Sequence, residues 1–82
     1  MKNGKKMYVV RGSEDGIIGV FSNIKRAYEK ASHYAKTCAG STTANPSYAN
    51  VTKNFKDGYG IVTIENDGGY GTADIERFYL NQ

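Results

Sequence analysis

The sequence predicts an α+β fold, a small antiparallel sheet of about four strands in the order β-β-α-α-β-β with one long helix packed on one face. Three observations carry this. Two short apolar runs, residues 7–11 (MYVVR) and 17–21 (IIGVF), flank a polar turn that ends in Gly16. The stretch after them repeats apolar residues every three or four positions. Two further apolar runs, residues 60–65 and 72–80, surround a glycine-rich turn at 66–71.

In the first strand Tyr8 and Val10 point to one face, and Met7, Val9 and Arg11 to the other. Gly16 supplies the positive φ that a hairpin loop often needs. In the second strand regular alternation places Ile18 and Val20 together, opposite Ile17 and Phe21. Gly19 marks a bulge or a close backbone approach. A helix is expected over residues 22–39, with Ser22 or Asn23 as its cap. Ile24, Ala27, Tyr28, Ala31, Tyr34, Ala35 and Cys38 form its apolar stripe, and the alanines let it lie close to a sheet. Gly40 is placed to end it.

Residues 41–58 are too many for a plain loop. Asn45 as cap and Pro46 at the first helical position predict a short second helix to Phe55, with Tyr48, Val51 and Phe55 at helical spacing. In the last strand Ile75, Phe78 and Leu80 are expected in the core. Ile75 and Phe78 break strict alternation, so a bulge near Glu76 is expected.

Eighty-two residues make one domain, 7–82, after a flexible basic tail at 1–6. So short a chain buries roughly 60% of the surface its unfolded form exposes, which leaves no room for a separate catalytic domain. A net charge of +3 allows a solvated surface or an acidic partner. No run approaches the ~20 apolar residues of a membrane span, and the basic start lacks a following apolar stretch. One cysteine closes no internal disulfide. A cytoplasmic protein without membrane contact is the expectation.

No arrangement predicts catalysis, a metal or a cofactor. His33 is the single histidine, and its spacing from Cys38 turns the two apart on a helix. Glu65 and Glu76, with Asp74 nearby, are able to meet across the last hairpin, although solvent-facing strand positions explain them as well. The glycines at 58–60 and 68–71 lack the ending of a phosphate loop. A non-enzymatic protein is expected.

Two binding signals stand out. Lys25, Arg26, Lys30, His33 and Lys36 share the outer helix face, a candidate partner-binding surface able to contact phosphates or an acidic protein. Seven tyrosines and three phenylalanines offer rings for stacking bases. Residues 56–64 (KDGYGIVTI) resemble the RNP1 segment of an RRM, and residues 7–10 (MYVV) resemble RNP2. Ile61 and Ile64, however, stand where stacking aromatics belong, and the element order is not that of an RRM.

A second resemblance covers residues 7–35. Tyr8-Val-Val10, then Ile18-Gly-Val-Phe-Ser22, then Ala27-Tyr-Glu-Lys-Ala31 is similar to small bacterial and bacteriophage proteins that read Y-V-V, I-G-V-F-S and A-x-x-x-A through a hairpin and a helix. The resemblance implies a phage-type accessory protein that binds, and modulates or inhibits, a host protein complex such as a defence nuclease. Direct nucleic-acid binding through the cationic helix is the alternative. An edge strand of so small a sheet is also able to pair with a second copy, giving a homodimer.

Overall fold

The computed structural model describes residues 5–38, 43–66 and 71–80, the side chain of Cys38 excepted. The elements are β1 (Lys5–Gly12), β2 (Gly16–Phe21), α1 (Ile24–Cys38), α2 (Tyr48–Lys56), β3 (Ile61–Glu65) and β4 (Thr72–Leu80). They form the expected α+β fold, with one antiparallel sheet in the order β2-β1-β4-β3 and the helices packed against it. The two longest strands occupy its centre, paired without a break from Lys5↔Leu80 to Gly12↔Ala73. Both hairpins therefore depend on a pairing between the two ends of the described chain.

Strand β1 begins at Lys5, earlier than the sequence reading placed it, because Lys5 and Lys6 pair with Leu80 and Tyr79. Residues 1–4, the rest of the expected tail, lie outside the described residues, as do Gly40 and residues 67–70. Gly16 has a φ of 70°, as the hairpin requires.

The bulge next to Gly19 is present. Val10 pairs with Gly19 and Arg11 with Ile17, so Ile18 is the extra residue. This changes the expected faces of β2. Ile18 and Phe21 pack against the core, whereas Val20 pairs with Val9 on the other face. The Phe21 ring lies over Gly19, where a Cβ would come within 2.5 Å of it.

Asn23 is the α1 cap: its Oδ1 accepts from the backbone N–H of Lys25 at 2.8 Å and of Arg26 at 3.3 Å. Ala27, Ala31 and Ala35 are fully buried beneath the helix, with Ile24, Tyr28 and Tyr34 packed around them. Tyr34 lies across Gly12, where any Cβ would fall 2.4 Å from its ring. Its hydroxyl accepts from the Glu14 N–H at 3.0 Å. A methyl-sized stripe on the helix and a glycine on the strand thus set how closely the two layers meet.

The second helix starts later than Asn45-Pro46 predicts. Asn45 spends its N–H and C=O on Glu65, at 2.7 and 2.9 Å. Ser47 becomes the cap, its Oγ accepting from the Asn50 N–H. Val51 and Phe55 are buried as expected, and Tyr48 stacks at an angle on Tyr28, 5.5 Å between centroids.

No bulge forms near Glu76, since the β1–β4 register is continuous through it. Ile75 and Phe78 are an odd number of residues apart on a regular strand, so they face opposite sides. Ile75 enters the core with Val10, Val62, Ile64 and Ala73, but Phe78 and Leu80 do not. The buried Asn66 side chain closes the core edge by donating to the Ala35 carbonyl at 2.8 Å.

Candidate partner-binding surfaces

Helix α1 buries its alanine stripe, so the residues half a turn away must face water. Lys25, Arg26, Lys30, His33 and Lys36 are all exposed there. None of their side chains forms a hydrogen bond or ion pair among the described residues. The first turn of α1 carries no acidic residue, so the positive end of the helix dipole adds to the potential of Lys25 and Arg26.

The five do not form one uniform patch. Arg26, Lys30 and His33 follow a single line down the helix on the side nearest β2. There they surround Phe21, and with Glu29 they line a shallow, open depression. Lys25 and Lys36 lie outside that depression, on the strip that passes through Glu29. On the helix face of five residues the structure separates Arg26, Lys30 and His33, which share a depression with Phe21 and Glu29, from Lys25 and Lys36, which lie outside it.

The other candidate chemistry does not assemble. Glu65 is opposite Thr72 and Glu76 is opposite Ile61, so the two glutamates do not meet across the hairpin. Glu76 is held by Arg11 at 2.7 Å, and Asp74 accepts from the Thr63 hydroxyl at 2.7 Å. Among the described residues no three His, Cys, Asp or Glu side chains converge to hold a metal ion. The Cys38 side chain lies outside the described residues.

Among the described aromatic residues Tyr8 and Phe55 are buried, whereas Tyr48, Tyr59, Phe78 and Tyr79 are exposed. Tyr8 points into the core and meets Phe55 edge-on at 5.6 Å rather than offering a stacking platform. Arg77 donates to the Phe55 carbonyl at 2.8 Å and lies over the Phe55 and Tyr79 rings. Burial pushes the Tyr8 phenol above its usual pKa. The nearby Arg77 guanidinium pulls it partly back, and Tyr79 and Tyr48 raise it slightly. Burial alone raises Tyr28, whose hydroxyl donates to the Pro46 carbonyl.

The sequence reading missed a second surface. The sheet face opposite the helices carries Met7, Val9, Ile17, Val20, Ile61, Phe78 and Leu80. Ile17 is 60% exposed, Val20 54% and Leu80 49%. The signal was available, because most of the strands place apolar residues at both odd and even positions. A sheet with one solvated face should instead alternate apolar with polar.

No family model, curated protein or solved structure matches the chain. No described helix is long and apolar enough to cross a membrane.

Proposed function

We propose that this is a non-enzymatic accessory protein that acts by binding a macromolecular complex through the outer face of α1. The carrying observation is that Arg26, Lys30 and His33 line one depression with Phe21, while their side chains form no hydrogen bond or ion pair among the described residues. Charged side chains with no described partner beside the half-buried Phe21 ring fit a contact surface, where an aromatic or Arg anchor is joined by steering charges. The hairpin-and-helix resemblance of residues 7–35 favours a phage-type protein acting in the host cytoplasm, where it would modulate or inhibit a complex such as a defence nuclease.

Affinity capture from bacterial lysate tests this. The native chain retains a specific partner, and the Arg26→Glu/Lys30→Glu double variant loses it. Lys56→Glu, at an exposed position of α2, retains it. Equal capture by all three chains sinks the α1 reading.

The second reading is direct nucleic-acid binding. It is favoured by the same grouping, because phosphates suit Arg26 and Lys30 and a base suits the Phe21 ring. It requires a mobility shift with DNA or RNA that weakens with salt and disappears in the same double variant. No shift at low salt removes it.

A further inference from the structure

We propose that the open face of the sheet is a homodimer interface, formed by stacking two copies about a two-fold axis that runs along the strands between β1 and β4. The pattern of residues across the face carries this. Such an axis exchanges β1 with β4 and β2 with β3, the symmetry of the strand order β2-β1-β4-β3.

Each row of the face then meets its own reverse. One row reads Ile17, Arg11, Asp74, Thr63 across the four strands. Reversed, it places Arg11 over Asp74 of the second copy, and Asp74 over the second Arg11. The next row reads Val20, Val9, Glu76, Ile61, which sets Val20 against Ile61 at both edges. Glu76 keeps its own bond to Arg11 there. The row beyond pairs Met7 with Phe78, which again exchange. Apolar meets apolar at four positions and the charge pair meets its complement twice, while Ile17 faces Thr63 and Val9 faces Glu76.

The surface is large enough. Four strands span roughly 19 Å and the central pair runs roughly 27 Å, so stacking two faces removes on the order of 1,000 Å² from water, at the lower end of specific interfaces. Charge favours a second copy on this side. The face mixes Lys5 and Arg11 with Glu65, Asp74 and Glu76, whereas the outer face of α1 is cationic and repels itself. The dimer turns both α1 faces outward.

Light scattering after size exclusion on the full chain decides it. The native chain is expected at twice its 9.0 kDa mass. Phe78→Asp is expected as a monomer with an unchanged far-UV dichroism spectrum. The second measurement uses charge reversal. Arg11→Asp alone opposes carboxylates in both pairs, and Asp74→Arg alone opposes cations in both, so each is expected to be monomeric. Mixed together they restore both pairs and form a heterodimer. A native chain that stays monomeric up to about 100 μM overturns the proposal. So does a dimer that survives all three substitutions, or a mixture that stays monomeric.

Discussion

The two faces of the sheet are made by the same four strands from similar residues, and they behave differently. On the helix side Val10, Val62, Ile64, Ala73 and Ile75 are buried beneath α1 and α2. On the other side Ile17, Val20, Ile61, Phe78 and Leu80 remain exposed. Ile61 and Ile64 make the contrast within one strand: the first is 48% exposed and the second 0%. Hydrophobicity selects which residues can be buried, and the layer above a face decides which are. The helix side carries the stability of the monomer, and the open side adds little to it.

The sharpest way to break this comparison is to truncate both isoleucines. Ile64→Ala should cost about 2–5 kcal/mol, since it opens a cavity among close-packed neighbours. Ile61→Ala should cost less than about 1 kcal/mol in the dilute chain, where the side chain already meets water. Urea unfolding at low protein concentration reads both. Equal losses would mean that the open face is covered within one copy.

The close approach of α1 gives the next largest effect. Gly12→Ala should cost about 1–3 kcal/mol, because the new methyl group displaces the Tyr34 ring and its bond to the Glu14 N–H. In a Tyr34→Ala background the same substitution should cost clearly less, a non-additivity that thermal unfolding of the four chains reveals. Additive losses would remove Tyr34 as the spacer.

Alkaline pH separates the faces in another way. Tyr8 and Tyr28 belong to the helix side, and burial raises both above the phenol value of 10.0. The folded chain therefore keeps these protons longer than the unfolded chain does. Their contribution is fully present below pH 10.0 and is lost as pH rises through the higher folded values. The urea midpoint should fall above about pH 10, and Tyr8→Phe should lessen the fall. A midpoint flat across that range would place both phenols in water.

The smallest effect belongs to the open side. Glu76→Gln removes the ion pair with Arg11, whose side chains stay 38% and 34% exposed. In the dilute chain the loss should be under about 1 kcal/mol and should shrink with salt. A larger, salt-independent loss would mean that the pair is sealed from solvent.

Much of the fold was legible from residues 7–38. Short apolar runs around Gly16 specify a hairpin, and alanines at four-residue spacing specify a helix that lies close to a sheet. The cationic side of α1 was legible for the same reason: helical periodicity assigns faces without knowledge of the partner layer. Local pattern was less informative where backbone groups had distant uses. Asn45 and Pro46 read as a helix start, yet Asn45 is taken by Glu65, and Ser47 caps instead.

By itself, the sequence determined the element order, the buried alanine stripe of α1 and the exposure of Lys25, Arg26, Lys30, His33 and Lys36, because each follows from spacing within one segment. Tertiary structure alone decided the rest. Pairing between β1 and β4 held β4 in regular register, which sent Phe78 and Leu80 to the open face. The bulge at Ile18 turned Val20 outward and brought Phe21 beside Arg26, Lys30 and His33. Strand faces are counted in steps of two, so one extra residue, or the absence of an expected one, reverses every side chain beyond it. That count is settled only when a partner strand fixes the register.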